Sequence, residues 1–164
     1  LGEPAREVIV RIPDDLAAVH ADPGLLQRVL VNVLSNALRF SPPDQPPTVT
    51  ARELDADVEL RVIDHGPGIA ESAHATVFMP FQRLGDRDGQ HGIGLGLALS
   101  RGLTEAMGGS LSPETTPGGG LTMVLTMPAT EPSDQVAPGP AEAVDRVLGR
   151  HPHQWPAGVP DQPP

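Results

Sequence analysis

The 164-residue chain has no cysteine, no lysine and no tyrosine, and only one Trp and three Phe. Without cysteine it can form no disulfide and no thiolate-held zinc or iron–sulfur site. Without lysine, all 11 of its basic residues are Arg, against 21 Asp and Glu, for a formal net charge of −10. A surface of that sign is unsuited to nucleic acid, whose phosphates demand an excess of Lys and Arg. Long apolar runs are missing as well. Stretches such as 29–31 and 95–99 fall far short of the ~20 residues that cross a bilayer, so a membrane-inserted fragment is not expected. No basic stretch leading into an apolar one opens the chain, so no export is expected, and an initial Leu in place of Met is what a piece of a longer protein would carry. The lack of Lys, with 20 Pro and many Ala and Gly, has the bias of a GC-rich genome. An Arg where Lys is common therefore reads as drift.

What is present is ordinary globular material, 38% hydrophobic and long enough for one domain with a core. Val8-Ile9-Val10-Arg11-Ile12 reads as a short strand ended by Pro13. Asp22-Pro23 supplies an N-cap and a first-turn proline. Leu26, Leu30, Val33, Ala37 and Phe40 follow at the spacing of one helix face, until Ser41-Pro42-Pro43 stops it. Residues 48–54 and 58–63 read as strands, 71–77 as a short helix and 85–91 as a polar loop. Residues 95–107 form a second long helix with a Gly108-Gly109 stop, and 121–127 a closing strand. This order predicts an α+β fold over residues 1–128: a two-layer α/β sandwich, with helices packed on one face of a mixed sheet. Residues 129–164 hold eight Pro and three Gly and read as a Pro-rich disordered tail, with at most a turn or two of helix at 141–148.

Four clusters bear on chemistry. Asn32, Asn36 and Arg39 lie at i, i+4 and i+7 on the first long helix, on one face. Neutral amide oxygens suit Mg²⁺ when a ligand's phosphates already carry the negative charge, and an Arg one turn on can pair with those phosphates. A solvated polar face has the same pattern. Asp64-His65-Gly66-Pro67-Gly68 follows a strand, offering a carboxylate and close backbone approach to a flat, amino-bearing ligand such as adenine, or else an ordinary Gly-Pro turn. In Gly92-Ile93-Gly94-Leu95-Gly96-Leu97, alternate glycines open a helix whose N–H groups can face an anion. This is neither a P-loop nor the dinucleotide fingerprint, and taken alone it reads more readily as a plain flexible helix entry than as a phosphate site. Phe78-Met79-Pro80-Phe81 is an apolar anchor for the polar loop that follows.

In their order and spacing these clusters resemble the ATP-binding catalytic domain of sensor histidine kinases, within the superfamily that includes the gyrase ATPase subunit, a heat-shock chaperone and MutL. Asn32 to Asn36 matches the N box, Asp64 to Gly68 the first glycine box, Phe78 to Phe81 the F box and Gly92 to Gly96 the second glycine box. Gly118-Gly119-Gly120 matches the final glycine motif. The resemblance spans residues 6–128. Within the family, residues 81–86 and 94–109 are most similar to KdpD-type potassium and turgor sensor kinases. The resemblance implies a Bergerat fold that binds Mg·ATP and transfers its γ-phosphoryl group to a histidine. It implies Asn36 as Mg²⁺ ligand, with Asn32 and Arg39 near the phosphates as the other catalytic residues. Asp64 would accept from the adenine amino group, and Gly66, Gly68, Ile69 and Phe81 would shape that pocket. Gly92, Gly94, Leu95, Gly96 and Leu97 would close over the phosphates.

The chain departs from the pattern at three positions: Arg39 for a common Lys, Phe40 for a frequent Tyr, and Leu121 for Thr or Ser. The six histidines sit at none of the places a phosphoacceptor requires. The acceptor His is thus expected on a dimerisation domain of the same full-length protein, with a response-regulator receiver domain downstream. The location implied is cytoplasmic, in a membrane-bound sensor kinase. Three other readings share the fold: an ATPase, a serine kinase of the anti-sigma-factor type, and a non-catalytic binding module. Superfamily ATPases carry Glu where Asn32 stands, and a neutral amide cannot serve as general base.

Overall fold

The computed structural model describes residues 7–80, 95–130 and 139–150. Strand β1 (Ile9–Arg11) leads into helix α1 (Pro23–Phe40), whose start follows from its first residues. The Asp22 side chain accepts the Leu25 N–H at 3.0 Å, and Pro23 takes the first helical position, where no N–H is needed. Leu26, Val29, Leu30, Val33, Leu34 and Ala37 are buried along one stripe. Phe40, expected on that stripe, is instead 41% exposed. At that height the helix meets a turn rather than the sheet: a Cβ on Gly66 would lie 2.6 Å from the Phe40 carbonyl oxygen.

Two strands follow, β2 (Thr48–Leu54) and β3 (Asp57–Ile63), joined by a two-residue turn in which Asp55 adopts φ 54°. Short polar Asp tolerates that left-handed conformation. Beyond a 3-10 turn at Glu71–Ala73 come α2 (Gly96–Ala106), β4 (Ser110–Thr115) and β5 (Leu121–Pro128). The short helix expected at 71–77 is therefore only a 3-10 turn, in which the Ala73 N–H reaches back three residues to Ala70 and no side chain caps the start.

The five strands form one mixed sheet in the order β1-β2-β3-β5-β4. β1 runs parallel to β2, as the crossover through α1 permits, and the remaining pairs are antiparallel. Alternation decides the two faces. Val49, Ala51, Val58, Leu60, Val62, Met123, Leu125 and Met127 are buried with the α1 stripe in one core, which gives the expected two-layer sandwich. On the other face Glu59 lies between Arg52 and Arg61, at 2.9 and 3.3 Å, and Arg61 also bonds Glu114. Burial works against ionisation of Glu59, but the two guanidinium groups outweigh it and hold its carboxyl below the usual 4.5.

Strand β4 has no counterpart in the sequence reading. Pro113 interrupts its pattern, and proline argues against a central strand. β4 is an edge, paired only with β5, where the missing N–H is tolerated.

Within the expected tail, the turn or two of helix allowed at 141–148 is present and is docked on the core. Here α3 (Pro140–Val147) packs against α1, with Val144 fully buried and Ala143 nearly so. Pro140, Ala143, Val144, Val147 and Leu148 recur at helical spacing, Glu142 pairs with Arg146 at 3.1 Å, and Gly149 (φ 67°) closes the helix. The Gly149 N–H reaches the Arg146 carbonyl and the Arg150 N–H that of Asp145, a two-bond glycine C-cap. The Arg150 guanidinium donates to the Val8 carbonyl at 2.8 Å. Composition pointed to disorder, but an eight-residue amphipathic stripe with proline and glycine at its ends needs only an apolar surface to dock on. The rest of the expected tail lies outside the described residues.

Two outcomes follow. Val144→Ala removes buried methyl groups and should cost about 2 kcal/mol in urea unfolding, whereas an undocked tail would leave stability unchanged. The depressed Glu59 carboxyl contributes stability that is present above its unfolded value and lost as pH falls through the lower folded one. Glu59→Gln should therefore lower the melting temperature at pH 7, and the gap from the parent should narrow below about pH 4.

Candidate functional site

The site begins where β3 ends. Asp64 follows the last paired residue of that strand and is 6% exposed. Its N–H donates to the Leu121 carbonyl at 2.9 Å. In return its Oδ1 accepts the N–H of Leu121 at 3.0 Å and of Gly66 at 2.9 Å. Both backbone donors converge on one oxygen, and Oδ2 has no partner among the described residues. The carboxylate is thus held in one orientation, with a free acceptor for a hydrogen-bond donor from outside.

Backbone, not side chains, walls the space around it. Gly68 sits at φ 68°, and a Cβ there would come 2.8 Å from the Gly120 carbonyl oxygen. Gly120 has φ 116° and lies so close to the Asp64 carbonyl that no side chain fits. The His65 N–H donates to Ser41 Oγ at 3.2 Å, which ties the turn to the carboxyl end of α1.

α1 lines the next part of the site. Asn36 is half-buried, and its amide has no partner among the described residues. One turn earlier, Asn32 Nδ2 donates to Ser100 Oγ at 3.1 Å and more weakly to the Gly96 carbonyl at 3.4 Å. One turn later, Arg39 is exposed, its guanidinium 5.5 Å from the Phe40 ring centroid. α1 therefore touches the amino end of α2 at Asn32 and the Asp64 turn at Phe40, eight residues or about 12 Å apart, with Asn36 between. Leu95, just before α2, is 41% exposed, and among the described residues no side chain caps the helix, whose first N–H groups are the kind that can face an anion.

Of the other expected site residues, Ile69 and Leu97 are partly buried, with apolar surface packed against the core. Phe81, Gly92 and Gly94 lie outside the described residues. Phe78 is buried, with the Arg101 guanidinium 5.0 Å from its ring centroid, so this part of the F box does anchor apolar surface. Two contributors escaped the sequence reading, Ser41 and Ser100. Ser100 had a visible signal: a hydroxyl in the otherwise apolar run Leu97-Ala98-Leu99-Ser100.

The donor set fits a nucleotide with its divalent ion. Among the described residues no three of His, Asp and Glu cluster to hold a metal. The available ligands are amide oxygens on α1, which suit Mg²⁺ only when phosphates supply the charge. Beside Asp64 the glycine backbones are closely packed, and the free Oδ2 can accept from a group that brings its own N–H donor.

Residues 21–131 match the family described as histidine kinase-, DNA gyrase B-, and HSP90-like ATPase. Sensor protein KdpD of Rathayibacter rathayi is 57% identical over 128 residues, covering 78% of this chain and 15% of that protein. Sensor protein KdpD of Mycobacterium tuberculosis (strain ATCC 25618 / H37Rv) is 46% identical, covering 77% of this chain and again 15% of the relative. The chain thus spans a small part of the curated relatives it matches. Among solved structures, the mycobacterial sensor histidine kinase MprB superposes with a TM-score of 0.68 at 30% identity, over 75% of this chain and 83% of that one. Full-length ShkA in complex with AMPPNP gives 0.66 at 32% identity, over 77% of this chain and 26% of that one. With the match extending over most of its length, the chain belongs to the histidine kinase-, DNA gyrase B-, and HSP90-like ATPase family, in its sensor histidine kinase branch.

Proposed function

We propose that this chain is the catalytic ATP-binding unit of a sensor histidine kinase of the KdpD type. It would hold Mg·ATP and present the γ-phosphoryl group to a histidine on a dimerisation domain elsewhere in the full-length protein. The observation that carries the reading is the Asp64 carboxylate, pinned through Oδ1 by two backbone N–H groups with Oδ2 free in a glycine-walled turn. Adenine fits that demand: a flat ring whose amino group donates to Oδ2 while the backbone of Gly66, Gly68 and Gly120 lies close to it.

Each of the chain's own groups then has a part in positioning. Asp64 orients the base. Asn36 offers an amide oxygen along α1, and Arg39 one turn on offers two donors to phosphate oxygens. The open N–H groups of α2 face the far end of the same helix stretch. Mg²⁺, when bound, would supply charge neutralisation of the phosphate oxygens. Asn32 offers no basic group to activate water. That favours transfer to a protein acceptor over hydrolysis and argues against the ATPase reading. A receiver domain would take the phosphoryl group next, and the whole protein would work at the cytoplasmic face of a membrane. Among the described residues no helix is long and apolar enough to cross one.

The test is calorimetric titration of the chain with AMPPNP, with and without Mg²⁺. The parent should bind in the micromolar to sub-millimolar range. Asp64→Asn keeps an Oδ1 for both backbone donors but turns the free oxygen into a donor. Affinity should fall at least tenfold, about 1.4 kcal/mol or more, with little change in melting temperature. Asn36→Ala should abolish most of the Mg²⁺ dependence. A phosphoacceptor domain added in trans should then be labelled from ATP on histidine. Absence of binding by the parent would overturn the reading, and labelling on serine would transfer it to the serine-kinase branch.

A further inference from the structure

The Asn32 side chain is held by a bond network on α2 that only one orientation of its amide can satisfy. Ser100 is fully buried within α2, and its hydroxyl proton is committed to the Gly96 carbonyl, one turn back, at 2.7 Å. Ser100 Oγ can therefore only accept from Asn32, and the Gly96 carbonyl can only accept as well. Both atoms facing the amide, at 3.1 and 3.4 Å, demand its NH₂ group. An Oδ1 turned toward them would set oxygen against oxygen. The consequence is chemical: the amide's NH₂ is used up within the protein, and Oδ1 is left as the group Asn32 can offer a ligand.

We propose that Ser100 is a positioning residue that fixes the Asn32 amide so that its oxygen, and not its NH₂, is presented beside Asn36 to a divalent cation or its water. This inference rests on the function proposed above. The same bonds join α1 to the first turn of α2, directly after the glycine-bearing segment. A cation held by α1 would thereby be tied to the amino end of α2. A freely rotating amide would present oxygen only part of the time, and its NH₂ would repel the cation for the rest.

The test uses Ser100→Ala, which removes the acceptor while keeping a good helix former, alone and combined with Asn32→Ala. In side-chain amide NMR of the chain without nucleotide, the Asn32 NH₂ protons should exchange faster with water in Ser100→Ala than in the parent. In AMPPNP titrations, Ser100→Ala should lose about fivefold in affinity with Mg²⁺ present, and less than twofold in EDTA. Added to Asn32→Ala, it should cause no further loss, because its effect passes through that amide. Equal losses with and without Mg²⁺, or a loss that adds to that of Asn32→Ala, would assign Ser100 a merely structural role and overturn the inference. Tight binding by the parent with an unchanged Ser100→Ala variant would overturn it alone, leaving the proposed function standing. No binding by the parent would overturn both.

Discussion

One carboxylate ties the fold to the site. Asp64 Oδ1 accepts two backbone N–H groups, one from its own turn and one from the first residue of β5, and by this it joins β3 to its neighbour at the point where the ladder stops. The arrangement requires the chain before β5 to pass within contact of the Asp64 carbonyl, which only glycine at 120 permits. It requires a second close approach where Gly68 meets Gly120 and a third where Gly66 meets Phe40. Glycine at these places serves packing first. An open wall of backbone beside a fixed carboxylate, suited to a flat ligand, is the by-product.

α1 is the second organising element, because both halves of the site dock on it. Its buried stripe sets it on the sheet, and the residues flanking that stripe meet α2 at one height and the Asp64 turn at another. A rigid helix with a fixed rise then sets the span between the Asp64 carboxylate and the amino end of α2. The electrostatics are local. A chain of net charge −10 does not attract an anionic nucleotide by its overall field. Arg52 and Arg61 are committed to Glu59 and Glu114, Arg101 to Glu105 and Arg146 to Glu142. Arg39, at the end of α1 next to the Asp64 turn, has no carboxylate partner among the described residues.

Where sequence patterns and structure part, the cause is context. Pro113 hides β4 because a proline counts against a strand unless the strand is an edge, and edge position is a property of the whole sheet. α3 carries good local signals, but it sits in a stretch whose overall composition suggests disorder, and the helix it packs on, α1, lies far earlier in the chain. Phe40 keeps the helical spacing of the core stripe yet stays exposed, because the core ends one turn before it. Periodicity reports which residues share a face; it does not report how far the opposite layer extends.

The residue order alone established the helix of Asn32 and Asn36, its Asp22-Pro23 start, the two central strands and the carboxylate–glycine turn, because caps, alternation and glycine spacing are local chemistry. From their order the family and its two-layer fold could be read. Which atoms of those residues remain free was settled by long-range contact. Asp64 loses Oδ1 to a residue 57 positions away, and Asn32 loses its NH₂ to one 68 positions away. Hydrogen-bond capacity is consumed only when distant backbone arrives to claim it, so what a site residue can still offer a ligand is decided by the folded neighbours it meets.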